Sequence, residues 1–189
     1  TPSNSPRFRS TKGLAFLGGF KHPPNREGVE WFGAGVMPLI EHEGIELSVY
    51  GAAMDHSFKA STREQGINAV GYIDNLEDVY TKHRIFIAPL LSGAGIKGKV
   101  INALAYGIPT ILTPVAAEGI GLRHGHDCLI ARTPQEWGES IKKLYNDEAL
   151  WKAISKASRE YAEQQFSFGE GRRLMREIFE SIELFNSQD

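Results

Sequence analysis

Small residues and two lysines follow a buried apolar segment near the middle of the chain. The segment is Ile85–Ala88, and after it come Ser92, Gly93, Ala94, Gly95, Ile96, Lys97 and Lys99. A glycine-rich turn that leads into a helix leaves backbone N–H groups and the positive end of the helix dipole available to an anion. The glycines could instead serve only the tight turn between strand and helix. The two lysines favour an anion site at this turn.

The helix predicted after this turn spans residues 97–106. At helical spacing its apolar residues share the face toward the sheet, and three polar residues share the opposite face: Val100, Ile101 and Leu104 against Lys99, Asn102 and Tyr106. Lys99 and Asn102 could then address one ligand, because an ammonium suits phosphate and an amide suits hydroxyl groups. A solvated outer face without a ligand is the alternative that spacing alone leaves open.

Three further side chains fall near the same end of the predicted sheet. Lys21 and His22 follow the apolar run Leu14–Leu17, and Glu118 lies in a loop after the run Thr110–Leu112. Glu118 could meet a sugar hydroxyl or a cation. Each of the three also fits an ordinary exposed position.

Several common catalytic patterns are absent from the sequence. The six histidines are scattered and lack the paired spacing of zinc sites, so no metal ligands are predicted. The sequence has no Gly-x-Ser-x-Gly elbow and no Walker motif that ends in Gly-Lys-Ser/Thr. The turn at Leu17, Gly18, Gly19 and Phe20 differs from the Gly-x-Gly-x-x-Gly of nicotinamide-binding folds, which argues against a dehydrogenase.

Short apolar runs alternate with helical patterns along the whole chain. The predicted strands are Leu14–Leu17, Leu47–Tyr50, 67–70, Ile85–Ala88, Thr110–Leu112 and 128–130, and residues 114–122 are predicted as a loop. Asn25 is predicted to cap one helix, Asp74 or Asn75 another that runs to His83, and Thr133 a third. The alternation predicts a Rossmann-like α/β fold: three α/β/α layers around a mostly parallel sheet of about six strands. Ligands of such sheets bind beyond the carboxyl ends of the strands, where the glycine-rich loops converge.

The two ends of the chain differ from its middle. Residues 1–12 are polar and contain two prolines, so they are predicted as a linker or arm before a single domain, 13–189. The last helix is predicted to follow a capping box at Ser167 and Glu170. It carries an apolar stripe: Leu174, Ile178, Ile182 and Phe185. We expect this stripe or the arm to face a domain that the 189 residues lack.

Composition narrows the class of protein. A length of 189 residues suits one domain, and a net charge of −2 gives no electrostatic argument for nucleic acid as a partner. No apolar run approaches the roughly 18 residues of a membrane span. The single Cys128 cannot form an internal disulfide, which favours a reducing compartment.

Five segments together resemble a known family of enzymes. They are 16–25 (FLGGFKHPPN), 71–76 (GYIDNL), 88–110 (APLLSGAGIKGKVINALAYGIPT), 116–120 (AAEGI) and 125–131 (GHDCLIA). In this order and spacing they resemble the carboxyl-terminal, donor-binding domain of retaining glycosyltransferases of family 4 (glycosyl transferases group 1), which have the two-domain GT-B architecture. The resemblance covers nearly the whole chain from Gly13 onwards.

The resemblance implies a role for each candidate residue. The donor would be a UDP- or GDP-sugar, bound without a metal or other cofactor, and Lys99 would neutralise the diphosphate as it leaves. The backbone of Gly93, Ala94, Gly95, Ile96 and Lys97 would hold diphosphate and sugar, and Ser92 and Lys21 are further candidates for the same site. Gly18 and Gly19 would let the first loop approach the phosphates. Asn102 would bind ribose hydroxyls, Tyr72 and Ile73 would flank the base, and Glu118 would complete the site.

The chain departs from the family pattern in two ways, and these departures leave open an alternative to an active glycosyltransferase. The family usually carries two glutamates eight residues apart, where this chain has Ala94 and Asn102; an amide binds ribose with weaker acceptors than a carboxylate. The chain also lacks the amino-terminal acceptor domain, so we expect it to be incomplete alone. The first hypothesis is sugar transfer to a glycan or lipid-linked acceptor by a cytoplasmic protein, either free or peripheral to the inner face of a membrane. The alternative is a GT-B-like binding or scaffolding domain that has lost turnover.

Overall fold

Six short parallel strands form the centre of the molecule. The computed structural model describes residues 5–166, so the predicted capping box at Ser167 and the apolar stripe after it lie outside the described residues. The strands are β1 (Leu14–Leu17), β2 (Leu47–Tyr50), β3 (Ile67–Gly71), β4 (Ile85–Ala88), β5 (Thr110–Leu112) and β6 (Leu129–Ile130). Their order in the sheet is β3-β2-β1-β4-β5-β6, and every pairing is parallel. β4 and β5 are buried along their whole length, because helices cover both faces of the sheet.

Eight helices of the described part connect and cover the strands. They are α1 (Pro23–Gly35), α2 (Met37–Ile40), α3 (His56–Glu64), α4 (Glu77–Thr81), α5 (Gly98–Tyr106), α6 (Pro114–Ala117), α7 (Pro134–Asn146) and α8 (Glu148–Phe166). On one face of the sheet α2 contacts α1 and α7, and α3 lies beside α1; on the other face α5 contacts α4 and α8. The predicted three-layer Rossmann-like fold is therefore confirmed, and its sheet is parallel throughout.

Several predicted helix boundaries are wrong. Pro23 occupies the first turn of α1, so the helix begins before Asn25 and this side chain caps nothing. α4 runs only from Glu77 to Thr81, and its N-cap is Leu76 and not Asp74 or Asn75. Asn75 lies in the turn ahead of the helix, where its Oδ1 accepts from the amide of Glu77. The predicted loop at 114–122 opens with the short helix α6, because the Thr113 hydroxyl accepts from the amide of Ala116.

The hydrophobic core fills both spaces between sheet and helices. Trp137 of α7 is fully buried against Phe32 of α1, with ring centroids 5.5 Å apart. Thr133 caps α7 with Pro134 in the first turn, as predicted, and Glu136 completes a capping box in which the two side chains bond each other's backbone. Cys128 is also fully buried, and this burial raises the pKa of its thiol to about 12.

Arg84 attaches the amino-terminal arm to the domain. Its guanidinium lies between the rings of Phe8 and Tyr145, at 4.3 and 4.5 Å from their centroids. It donates hydrogen bonds to the backbone carbonyls of Phe8, Thr11 and Tyr145 at 2.7 to 3.2 Å. The Phe8 ring also packs edge-on against Trp151 of α8. The described part of the predicted arm, from residue 5, therefore packs against the domain.

We expect Arg84→Leu to lower the free energy of unfolding by about 2–4 kcal/mol. The substitution removes the charge-assisted hydrogen bonds to three carbonyl groups, although the Phe8 carbonyl keeps the Thr11 hydroxyl as a donor at 3.3 Å. Urea unfolding followed by tryptophan fluorescence measures the change, since Trp151 donates its indole N–H to the Arg84 carbonyl. Arg132→Leu is the matched control, because Arg132 is exposed. Equal stabilities of the two variants would contradict the role assigned to Arg84.

Candidate functional site

The candidate site lies where the strand order reverses, between β1 and β4. These neighbours pair in register at Leu14 with Ile85, although they are far apart in sequence. β2 and β3 extend the sheet on one side of this pair, and β5 and β6 on the other. The loop after β1 leads into α1 and the loop after β4 leads into α5. Ligands of open α/β sheets bind at the carboxyl ends of such strands, and we call this place the crevice. The loop after β1 carries Gly18 and Gly19, and the loop after β4 carries the predicted anion site.

Glycines allow the loops of this crevice to approach each other closely. An added Cβ at Gly51, whose φ is +144°, would stand 1.7 Å from the carbonyl oxygen of Gly18. An added Cβ at Gly28 in α1 would lie 2.5 Å from the carbonyl oxygen of Pro89. At Gly19 a Cβ would meet no atom within 4 Å, so this residue faces open space. The loop after β1 is therefore closely packed at Gly18 and exposed at Gly19.

The loop after β4 is shaped by two glycines and closed by Lys97. Gly93 and Gly95 have φ angles of +116° and +76°, which residues other than glycine rarely adopt. The Lys97 ammonium donates to the carbonyls of Gly93 at 3.2 Å and Gly95 at 2.5 Å. The N-cap residue of α5, Lys97, makes no side-chain cap, and the Val100 amide already donates to the Lys97 carbonyl at 2.9 Å. The amides of Gly98 and Lys99 are the first-turn donors that remain available to an anion.

The rest of this loop contacts two other segments. The Ser92 hydroxyl lies 3.4 Å from a carboxylate oxygen of Glu27 on α1. Ile96, although 57% exposed, approaches the loop after α6, since an added Cβ at Gly119 would lie 3.5 Å from it. Ala94 is exposed between the two glycines. The loop therefore connects α1 with the segment that contains Glu118.

Lys99 turns its ammonium into the crevice. Its Nζ atom lies 2.5 Å from Oδ1 of Asn25 and 4.6 Å from the centroid of the Phe16 ring. Burial, helped by repulsion from the Lys97 charge, lowers the pKa of Lys99 to about 8. A cation held this way gains most from a second, negatively charged partner, because an anion restores the charge that burial opposes.

Asn25 is the site residue that sequence reasoning missed. It is 5% exposed, accepts from Lys99 and donates through Nδ2 to the carbonyl of Gly19 at 2.8 Å. Its amide lies so close to Gly18 that an added Cβ there would stand 2.7 Å from Asn25 Cγ. Pro23 and Pro24 start α1 three residues earlier than a cap at Asn25 would. They are the sequence signal that could have placed Asn25 inside the helix.

Asn102 and Tyr106 have other neighbours than Lys99. Asn102 is exposed and lies near Tyr80 of α4. Burial raises the pKa of Tyr80 to about 12, and the nearby Asn102 side chain acts in the opposite direction. Tyr106 is half-buried and its ring stacks on Tyr80, with centroids 5.0 Å apart. The predicted polar face of α5 is thus divided, because Lys99 contacts α1 and the other two residues adjoin α4.

The remaining candidates stand around the same edge of the sheet. Lys21 and His22 are exposed in the turn before α1, and Glu118 is exposed at the end of α6. Tyr72 is 73% exposed directly after β3, whereas Ile73 is half-buried against the core. Within residues 5–166 no group of three or more His, Cys, Asp or Glu side chains could hold a metal ion. No helix among them is long and apolar enough to span a bilayer.

Known proteins resemble this chain in sequence and in fold. A curated relative, the "uncharacterized 44.6 kDa protein in cps region" of Klebsiella pneumoniae, is 29% identical over 187 residues, which is 89% of this chain and 44% of the relative. The chain therefore spans less than half the length of this relative.

Solved structures share the fold at low identity. Anabaena Alr3699/HepE, solved with UDP and glucose, superposes with a TM-score of 0.74 at 11% identity, over 92% of this chain and 49% of its own. S. aureus TarM gives 0.76 at 11% identity over 93% of this chain and 36% of its own. WaaG, a glycosyltransferase involved in lipopolysaccharide biosynthesis, gives 0.69 at 16% identity over 87% and 46%.

A family model supplies the assignment. The model described as "Glycosyl transferases group 1" matches residues 11–147, which include the six strands of the described part, the loops around the crevice, Asn25 and Lys99. The match covers well over half of the sequence. The chain belongs to the glycosyl transferases group 1 family.

Proposed function

We propose that this chain is the carboxyl-terminal, donor-binding domain of a retaining glycosyltransferase of family 4 with GT-B architecture. The donor is a UDP- or GDP-sugar, and its diphosphate binds between β1 and β4. One observation carries the proposal: the Lys99 ammonium is held in the crevice beside the uncapped first turn of α5. A cation and free amides at one point are the partners that a diphosphate requires.

The chemical step gives Lys99 its role. When the bond between the sugar C1 and the diphosphate oxygen breaks, the electron pair stays on the diphosphate. The acceptor hydroxyl oxygen bonds to C1, and its proton goes to the departing diphosphate or to water. The negative charge that develops on the leaving group falls on Lys99 and the α5 amides, and such preorganised groups stabilise the transition state. We assign Lys99 as the catalytic residue for this reason.

The other candidates surround the diphosphate in this proposal. Gly93, Ala94, Gly95, Ile96 and Lys97 offer backbone groups, and Ser92 and Lys21 add side chains at the rim. Gly18 and Gly19 let the first loop approach the phosphates. Asn102 faces the ribose, Tyr72 and Ile73 the base, and Glu118 the sugar.

Turnover requires a second domain in this proposal. The chain spans 44% of its Klebsiella relative and 36% of TarM, and TarM was solved together with UDP and alpha-GlcNAc-glycerol. We propose that an amino-terminal domain of the full-length protein binds a glycan or lipid-linked acceptor. We place the protein in the cytoplasm, at or near the inner face of a membrane. The 189-residue chain is then expected to bind nucleotide without transferring sugar.

Calorimetric titration with UDP and with GDP tests the proposal, and pH sharpens the test. We expect saturable binding of one nucleotide, with an affinity that falls from about pH 8 to about pH 9. Lys99 has a pKa of about 8 in the free protein, so its side chain is mostly neutral above this pH. Binding of the diphosphate then requires Lys99 to take up a proton, and this requirement lowers the affinity. The loss approaches a factor of ten per pH unit until the pKa of Lys99 in the complex is reached. The nucleotide phosphate is fully ionised in this range, since its last pKa is about 6.

Lys99→Arg is the control for this pH dependence. A guanidinium keeps its charge across the range, so nucleotide affinity of the variant is expected to stay level. A wild-type affinity that also stays level would show that Lys99 does not bind the diphosphate. Absence of binding to either nucleotide would overturn the proposal as a whole.

A further inference from the structure

The side chain of Asn25 connects the loop after β1 with Lys99 of α5. Its Oδ1 atom accepts from the Lys99 ammonium at 2.5 Å, and its Nδ2 atom donates to the Gly19 carbonyl at 2.8 Å. Chemistry allows only this orientation of the amide, because an ammonium cannot accept a hydrogen bond and a carbonyl cannot donate one. The side chain is 5% exposed, so neither contact is readily exchanged for water.

The surroundings of Lys99 give this contact its importance. The ammonium lies over the Phe16 ring and beside the like charge of Lys97, which offer it no oxygen acceptor. Oδ1 of Asn25 is the hydrogen-bond acceptor that the described residues provide to Nζ of Lys99. Without it, the long lysine side chain would lose rotamer order or its proton.

The neutrality of the amide suits a binding site better than a carboxylate would. An aspartate at this position would hold Lys99 more firmly, but it would cancel the positive charge and repel a phosphate. An amide fixes the ammonium and leaves its charge for a ligand. Gly18 makes room for this arrangement, because a Cβ there would overlap the Asn25 side chain.

We propose that Asn25 is a positioning residue for the nucleotide diphosphate, whose amide ties the Lys99 ammonium to the first loop and keeps its charge free for the ligand. The inference rests on the proposed function, since it gives Lys99 a diphosphate to bind. Asn25 itself acts through Lys99 and Gly19. It therefore belongs to the site although its side chain is almost fully buried.

Two substitutions with opposite effects on Lys99 test the inference. Asn25→Leu removes both hydrogen bonds and is expected to lower the pKa of Lys99 by about one unit, whereas Asn25→Asp is expected to raise it by about one unit or more. Titration of the 189-residue chain with carbon-13-labelled lysine, followed by NMR and assigned with Lys99→Arg, measures both changes without nucleotide. A purely structural role of Asn25 would not move the pKa in opposite directions.

The same variants should both bind the nucleotide less tightly. We expect UDP or GDP affinity at about pH 7 to fall about tenfold in Asn25→Leu, because the ammonium is no longer positioned. We expect a fall of at least this size in Asn25→Asp, because the carboxylate neutralises Lys99. Thr62→Val is the matched control: it removes a buried hydrogen bond to the Phe58 carbonyl in α3, outside the crevice, and should leave both the Lys99 pKa and the affinity unchanged.

The outcomes separate this inference from the proposed function. An unchanged Lys99 pKa in both Asn25 variants overturns the inference, whatever the nucleotide does. Wild-type affinity in Asn25→Leu, in a chain whose binding depends on Lys99, also overturns it. Opposite pKa changes in a chain that binds neither nucleotide would support the tie between Asn25 and Lys99 and reject the proposed function.

Discussion

Lys99→Met is expected to weaken UDP or GDP binding by about 100-fold at about pH 7. A hydrogen-bonded ammonium that contacts a phosphate in a site sheltered from water contributes about 2–3 kcal/mol, and methionine keeps the length of the side chain without the charge. Isothermal titration calorimetry of the 189-residue chain measures the loss. Lys82→Met makes the same chemical change at an exposed lysine that pairs with Asp78, and should bind as the wild type does.

The same variant should not lose stability. The folded-state pKa of Lys99 lies below the ordinary value of a lysine, so folding opposes its charge at neutral pH. Wild-type stability therefore gains as pH rises from about 8 toward the unfolded-state pKa of about 10.4, and Lys99→Met lacks this gain. Urea unfolding at about pH 7 is expected to show a variant at least as stable as the wild type. A loss of binding that came with a large loss of stability would indicate damage to the fold and not the removal of a ligand contact.

Gly51→Ala is expected to produce the largest loss of stability among single methyl additions at the crevice. The alanine Cβ would stand 1.7 Å from the Gly18 carbonyl oxygen, and the φ angle of +144° belongs to a region that is essentially restricted to glycine. Relief requires the loops after β1 and β2 to separate, which breaks the hydrogen bond from Gly18 N–H to the Tyr50 carbonyl. We expect a loss of at least about 3 kcal/mol in the free energy of unfolding, measured by urea titration.

Gly44→Ala is the control for Gly51→Ala, because it places alanine at a positive φ angle without a close contact to another loop. Gly44 has a φ of +65°, and an added Cβ there would meet no atom within 4 Å. Its replacement should therefore cost only about 1 kcal/mol, the ordinary price of a left-handed alanine. If Gly51→Ala were no more harmful than this control, the close approach of the two loops would not be a constraint on the fold.

The strands were predictable because each carries its own boundary signal. Leu14–Leu17 ends at two glycines, Leu47–Tyr50 ends at Gly51, and Ile85–Ala88 ends at Pro89, so short apolar runs and their ends coincide with the structure. The parallel sheet then follows from alternation with helices. The short helix α6 was missed because four residues contain no helical period to recognise.

The partners of the site residues were less predictable, because they depend on how distant elements pack. Spacing places Lys99, Asn102 and Tyr106 on one side of α5, yet their neighbours come from α1 and α4. Asn25 fits the sequence rule for a helix cap but caps nothing, and its contact with Lys99, 74 residues later, cannot be read from that local pattern. Local pattern therefore finds the loops of a site more readily than the hydrogen bonds that join them.

The strand order also governs when the site can form during synthesis. β1, β2 and β3 and their helices emerge first, and they can pair as a unit while the outer edge of β1 stays open. β4 closes that edge only after β2 and β3 have emerged, so one edge of β1 is unpaired meanwhile and is open to wrong association. The crevice lies between β1 and β4. Asn25 follows β1 in the chain and Lys99 follows β4, so their hydrogen bond forms only when both strands are present. If the proposed function holds, nucleotide can stabilise the nascent protein only after β4 and α5 have emerged, because only then are Asn25 and Lys99 both in place.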